Sequence, residues 1–215
     1  TRLTGEQLTT LFVREIAQGI DANDGNGPEW MSSPHRAGLI KVASGLDEID
    51  DHERRIFVAA AAAHRQTGAP ILTHTEQGTA AMQQVRLFEE HRVDLRHVII
   101  SHTDRNPDVA YHRELLATGV RIEYDGAYRW KAGQPNHTLD LLLALIDEFP
   151  DQIMLGMDAA RRSYWTQYGG GPGLTFLIDA FAATLRHRGL SEAALHRIFV
   201  TTPASAFSFA SKEEA

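Results

Sequence analysis

Cysteine is absent from this chain of 215 residues. That excludes a disulfide framework and any thiolate metal site, so a cation could be held only by His, Asp, Glu or a modified Lys. Also missing is an apolar run near the roughly 20 residues that span a bilayer as a helix. Thr1-Arg2-Leu3-Thr4-Gly5 has neither the charged start nor the apolar stretch of a signal peptide. A cytoplasmic location is the default expectation. Positive charge is in deficit: 21 Lys and Arg stand against 28 Asp and Glu, for a formal net charge of -7. Broad binding to nucleic acid or to an anionic membrane is therefore not expected, although a local basic pocket is still allowed. What is present, 43% hydrophobic and 23% charged residues, is the composition of a globular protein with one sizeable core.

Short β-branched runs alternate with longer helical patterns. The runs are Gly38 to Ala43, Pro70 to His74, His97 to His102, Val120 to Asp125 and Ile153 to Asp158. Each has strand length and little polar alternation, as expected of strands buried on both faces. Helical patterns fall at Gly5 to Gly19, Asp47 to Gln66, Gly78 to His91, Pro107 to Thr118, Leu139 to Phe149 and Leu174 to Arg188, with a last helix opening at Ser191. Gly119 and Gly189 are helix stops. A loop rich in Gly, Asn and Pro, Asp21 to His35, precedes the first strand. About five repeats at a spacing of roughly 25–35 residues give the rhythm of βα units and predict a parallel sheet. Two architectures fit: an open doubly wound sheet or a (β/α)₈ barrel. No linker divides the chain.

Polar residues gather at strand ends. His74 closes Ile71-Leu72-Thr73-His74, His102 closes Val98-Ile99-Ile100-Ser101-His102, and Asp158 closes the run from Ile153. In a parallel barrel such ends converge on one face, where active sites are built. Two imidazoles and a carboxylate there suit a divalent ion, with Zn²⁺ the usual choice. Lys41, flanked by Leu39-Ile40 and Val42-Ala43, must desolvate its ammonium or be modified. A neutral amine can add CO₂ to give a carbamate, an anionic ligand able to bridge two ions. Taken singly, each residue also has an ordinary role. A strand-end His is often a hydrogen-bonded core or loop residue, an Asp after a strand is often a helix cap, and Lys41 could snorkel to a sheet edge. The joint pattern on successive strand ends carries the metal reading. His52, His64, His91, His112, His187 and His196 fall in helical stretches rich in Arg and Glu and read as surface residues.

Four stretches are more specific: Leu39 to Ala43; Thr73-His74-Thr75-Glu76 with Gly78; Ser101 to Asp108; and Leu155 to Asp158 with Arg161-Arg162 and Tyr168 to Gly171. From about Leu39 to Phe207 the chain resembles the phosphotriesterase family of the amidohydrolase superfamily. The resemblance implies a (β/α)₈ barrel holding two divalent ions. It implies Lys41 as the carbamylated bridge, His74 and His102 as ligands of the more exposed ion, and Asp158 as ligand of the more buried one. It implies a metal-bound hydroxide as nucleophile and Asp158 as the catalytic group that takes its proton. The electrophile would be a lactone or ester carbonyl or the phosphorus of a phosphotriester. That family carries a His-x-His pair at the end of its first strand, and no His-x-His occurs here. The first three strands are thus expected to be missing. Residues 1–215 are then expected to form one partial catalytic barrel domain of strands four to eight, holding one Zn²⁺ by itself.

The loops after the last two strands are basic and aromatic. Tyr128-Arg129-Trp130-Lys131 follows the fourth run, and Arg161-Arg162-Ser163-Tyr164-Trp165 follows the fifth. Such loops are the habitual phosphate site of barrels, and Arg grips phosphate bidentately. Tyr128, Arg129, Lys131, Arg161, Arg162 and Tyr164 are therefore the expected substrate-binding set. Some relatives in the family hydrolyse phosphorylated sugar lactones, and these loops are compatible with that. Ion pairs of Arg105, Arg161 and Arg162 with Asp104, Asp108 or Asp125 are the alternative, and the aromatics could instead line an apolar pocket. A small-molecule substrate is the expected partner, with no nucleic acid and no membrane, and a homodimer is allowed. Two other readings stay open: a non-catalytic binding or scaffold protein with an incomplete metal centre, and an unrelated doubly wound protein.

Overall fold

The computed structural model describes residues 3–23, 25, 27, 29–129 and 135–211. Trp130 and Lys131 lie outside the described residues. Helix and strand alternate from α1 (Gly5–Ala17) through β1 (Ile40–Ser44), α2 (Asp51–Thr67), β2 (Ile71–Thr75) and α3 (Ala81–Glu90). They continue through β3 (Val98–Ser101), α4 (Val109–Ala117), β4 (Arg121–Tyr124), α5 (His137–Leu145) and β5 (Ile153–Leu155). Three short helices follow: α6 (Ala182–His187), α7 (Glu192–His196) and α8 (Thr202–Ala206). Among the described residues no helix is long and apolar enough to cross a membrane.

Local chemistry sets the boundaries. Asp50 accepts the N–H groups of His52 and Glu53 while Glu53 reaches back to the Asp50 N–H, a reciprocal cap that starts α2 four residues later than the apolar pattern suggests. Gly68 ends α2 at φ 73. A β-carbon there would also come within 2.6 Å of the Ala210 carbonyl oxygen, so glycine is required twice over. Asp108 caps α4 through the N–H groups of Ala110 and Tyr111.

All five strands are parallel, in the spatial order β1-β2-β3-β4-β5. A doubly wound sheet reverses its strand order at a switch point. An unbroken sequential order is instead the arc of a barrel. Ile40 pairs with Ile71, Ile71 with Val98, and Ile122 with Ile153. These residues, with Val42, Ile100 and Tyr124, point outward into one core with Phe57, Val85, Phe88, Leu115 and Leu142 of the helices. Burying a side chain of this size contributes ~1.5–3 kcal/mol, so this outer layer is the main stabilising element.

The other face differs from expectation. Only β3 is buried at every position, whereas β1 alternates buried and exposed residues. Lys41, expected to be enclosed by apolar neighbours, faces the concave side and is exposed, because strand alternation separates it from Ile40 and Val42. That concave face has an apolar floor of Leu72, Ile99 and Met154, covered by Ala206. α8 and the tail after it run under this face: Arg121 donates to Ser205 Oγ of α8 at 2.8 Å, and the Ala210 N–H donates to Gly68 O at 2.7 Å. Two residues further along the strands, the same face turns polar with His74, Ser101 and Glu123. The C-terminal ends of the strands are therefore where charged chemistry can sit.

Two of the histidines expected on the surface are fully buried. His64 donates from Nδ1 to Ala69 O at 2.8 Å, and His112 bridges Asn106 O and the Tyr124 hydroxyl.

Candidate metal centre

His102 immediately follows β3 with φ 65, and Asp158 follows β5 by three residues with φ 42. Both hold a left-handed backbone that costs a non-glycine residue ~1–3 kcal/mol. The residue after β4 is Asp125, fully buried. His102, Asp125 and Asp158 each offer a ligand atom within 4.8 Å of the others. His102 Nδ1 contacts Asp125 Oδ2. A carboxylate can only accept, so Nδ1 carries the hydrogen and the lone pair stays on Nε2. That is the tautomer a metal-ligating imidazole needs, and a carboxylate behind it is the usual support.

His74, near the end of β2, places its ring 4.6 Å from that of His102, edge to face. Burial lowers the pKa of His74, and the neighbouring His102 and Lys41 lower it further, so the neutral ligand form is favoured. Its Nε2 also lies 3.3 Å from Glu76 Oε2. Lys41 donates from Nζ to Thr73 O at 3.0 Å. Desolvation pulls its amine below the ordinary value, against the attraction of Glu123, Asp125 and Asp158. Of the sequence-selected residues, His102 and Asp158 fall in the convergent group with Asp125, His74 packs against His102, and Lys41 lies near enough to feel the charges of Asp125 and Asp158 while its amine donates to Thr73 O.

The donor chemistry fits a divalent cation: imidazole nitrogen, carboxylate oxygen and a depressed amine, without thiolate. An independent sign is Asp125 Oδ1, a buried carboxylate oxygen with no hydrogen-bond partner among the described residues. Its nearest ion pair is Arg129 Nη1 at 3.5 Å. Leaving such an oxygen unsatisfied is expensive unless a positive charge stands near it.

Three acidic groups here were not selected from the sequence. Asp125 was read only as the end of a run and an ion-pair partner, although it occupies the same strand-end position as His102. Glu123, on the concave face of β4, accepts from Ser101 Oγ at 2.7 Å, and burial raises its pKa. Asp104 is fully buried and accepts the Gly126 N–H at 2.7 Å and the Thr138 hydroxyl at 2.5 Å. Burial and the charge of Asp125 push its pKa up.

The expected substrate-binding residues divide into two groups. Tyr128, Arg129 and Tyr164 abut the centre. Arg129 Nη2 donates to Asp158 Oδ2 at 2.6 Å, the Tyr128 hydroxyl lies 3.4 Å from Asp158 O, and the Tyr128 and Tyr164 rings meet edge to face at 5.0 Å. Arg161 and Arg162 line a neighbouring hollow of about 380 Å³ with Ala160, Trp165 and Tyr168. The Arg162 guanidinium stacks 4.4 Å from the Tyr168 ring centroid. Arg105 pairs with Asp158 at 3.9 Å rather than with Asp104, Asp108 or Asp125. Among the described residues Arg161 and Arg162 have no ion pair, so the loop-holding alternative does not describe them.

The chain is similar to known proteins in sequence and in fold. The phospho-furanose lactonase of Mycoplasmopsis synoviae is 32% identical over an alignment of 214 residues that covers 96% of this chain and 61% of that protein. The chain therefore spans less than two thirds of that curated relative. The crystal structure of the lactonase Lmo2620 from Listeria monocytogenes superposes with a TM-score of 0.87 at 32% identity, covering 98% of this chain and 63% of that one. The phosphotriesterase homology protein from Escherichia coli, solved with phosphate in its active site, gives 0.85 at 30% identity, covering 96% and 68%. With the five-strand arc matched to these structures, the fold is that of the (β/α)₈ barrel type rather than a doubly wound sheet. The profile of the phosphotriesterase family matches residues 1–207, and the chain belongs to that family.

Proposed function

We propose that this chain carries the catalytic face of a metal-dependent hydrolase that opens lactones bearing a phosphate group. The observation that carries the reading is the convergence of His102, Asp125 and Asp158 within 4.8 Å beside His74 and Lys41. These five side chains would hold the cation. When bound, it supplies Lewis acidity at a substrate carbonyl.

The remaining work falls to the chain itself. Asp125 fixes the imidazole of His102 in one tautomer and one orientation. Asp158, with 40% of its side chain exposed, lies at the mouth where it can take a proton from the attacking water and return it to the ring-opened oxygen. The apolar floor of Leu72, Ile99 and Met154 keeps water from below. Arg129, Tyr128 and Tyr164, with Arg161 and Arg162 at the adjoining hollow, form a cationic rim suited to a phosphate. Lys131, outside the described residues, is assigned to this set from the sequence alone.

The rim favours an anionic substrate over a neutral phosphotriester or a plain acyl lactone, which would leave several guanidinium groups unused. The relative named as a phospho-furanose lactonase and the neighbour with phosphate in its active site support the same choice. The test is hydrolysis by the chain loaded with Zn²⁺ and bicarbonate, followed by proton release. A phosphorylated γ-lactone is expected to be cleaved, with kcat/KM falling at least about tenfold when the phosphate is removed, the loss of about one charge-assisted contact. Equal or better turnover of the neutral lactone or of an aryl ester would refute the substrate class. No cleavage of any would refute the activity.

A further inference from the structure

Arg129 stands on ground that a cation would need. It lies five residues beyond the end of β4 and turns its guanidinium back onto the centre. Nη2 meets Asp158 Oδ2 at 2.6 Å and Nη1 lies 3.5 Å from Asp125 Oδ1. These are two of the three carboxylate and imidazole side chains that converge. No other cationic side chain comes so near among the described residues: Arg105 reaches Asp158 only at 3.9 Å.

A guanidinium and a divalent cation repel one another, and they seek the same oxygen lone pairs. Asp125 makes the conflict acute. Among the described residues its buried Oδ1 has no hydrogen-bond partner, and Arg129 is the cation paired with it. In the same pose Arg129 also rests on Tyr128: Nε lies 3.3 Å from the Tyr128 hydroxyl and the guanidinium sits 5.5 Å from the Tyr128 ring centroid. Tyr128 in turn leans on Tyr164 at the mouth.

We propose that Arg129 is an exchangeable counter-ion of the centre: it neutralises Asp125 and Asp158 until a divalent cation takes their oxygens, and the displaced guanidinium then turns along Tyr128 to receive the anionic group of the substrate. The inference rests on the metal reading given above and adds an order to it. The cation binds first, and its binding creates the anion site. By linkage, an anion held on Arg129 strengthens cation binding by the same factor.

The experiment is calorimetric titration of the chelator-stripped chain with Zn²⁺, comparing the wild type with Arg129→Gln and Arg129→Lys. Removing a competing, partly exposed ion pair should tighten Zn²⁺ binding about fivefold in Arg129→Gln. Arg129→Lys should stay near the wild type, and the difference should shrink as NaCl is raised. An Arg129→Gln affinity equal to or weaker than the wild type overturns the exchange, because a residue that merely orients Asp158 would lower affinity when removed. Zn²⁺ binding by neither protein overturns the exchange and the metal reading together. Zn²⁺ binding without lactone cleavage overturns the proposed activity alone, and the affinity ratio still decides the exchange. Should Arg129→Gln fail to fold, the wild type suffices: the Arg129 Nε–H resonance of ¹⁵N-labelled chain must move on adding Zn²⁺, and an unmoved resonance refutes the exchange.

Discussion

Gly156 sits directly after β5, against the carboxylate of Glu123 on the neighbouring strand. A methyl group placed there by Gly156→Ala would fall 1.7 Å from Glu123 Oε1 and 2.7 Å from its carboxyl carbon. No heavy atom tolerates such approaches, so Glu123 must turn away. Turning gives up the hydroxyl of Ser101, which donates to Glu123 Oε2 at 2.7 Å. Losing a hydrogen bond to a charged, half-buried group costs ~1.5–3 kcal/mol, and an off-rotamer side chain adds ~0.5–1.5 kcal/mol. Against this, alanine stiffens the unfolded chain and returns ~0.4–1 kcal/mol. The net expectation is a loss of about 2 kcal/mol. The backbone itself contributes nothing, since Gly156 is not among the positive-φ residues. Urea unfolding followed by tryptophan fluorescence on four proteins measures it: wild type, Gly156→Ala, Glu123→Ala and the double variant. In the Glu123→Ala background the added methyl meets no carboxylate and should be neutral or slightly stabilising. The coupling energy should therefore be about 2 kcal/mol. A Gly156→Ala cost that is the same in both backgrounds would refute the packing of β4 against β5 at the mouth.

Two further outcomes follow from the buried histidines. Tyr124→Phe removes the hydroxyl that lies 3.0 Å from His112 Nδ1 and leaves that buried nitrogen unpaired, which should cost ~1–3 kcal/mol and lower Tm, whereas an unchanged Tm would show that the contact is not made. Burial lowers the pKa of His64 and His112 in the folded state, so the fold holds them neutral. Their stabilisation is complete above the unfolded value of about 6.5 and is lost as pH falls from there toward the lower folded values. The urea midpoint should accordingly drop between about pH 7 and 5, and the drop should be smaller in His64→Gln; an identical drop in that variant would contradict the assignment.

Much of the fold was legible because its signals are local. The β-branched runs gave all five strands, and the glycines after α4 and α6 marked their ends. Strand-end logic found His74, His102 and Asp158, since a parallel sheet gathers its C-terminal ends wherever its neighbours lie. The same logic applied to the run ending at Asp125 would have found the acid behind His102. Helical spacing was overlooked at the buried histidines. Phe57, Ala60, Ala61 and His64 lie on one stripe of α2, and His112 shares a stripe of α4 with Leu115 and Leu116. Nearby Arg and Glu hid that stripe. Lys41 misled for a different reason. Apolar neighbours in sequence flank it, but strand alternation sends them to the opposite face, and the desolvation of its amine comes instead from the concave mouth, where Nζ donates to Thr73 O. The pairing of Arg129 with Asp158 joins residues 29 apart in sequence across two loops, and no local pattern encodes it.

Anomalous scattering at the zinc edge, from a crystal of the chain soaked in Zn²⁺, reads the location of the cation directly. A peak at about 2.0–2.3 Å from ligand atoms of His102, Asp125 or Asp158, with His74 and Lys41 around it, is the expected result. A peak elsewhere on the molecule, or none at this mouth, would contradict the metal centre and the hydrolysis proposed from it.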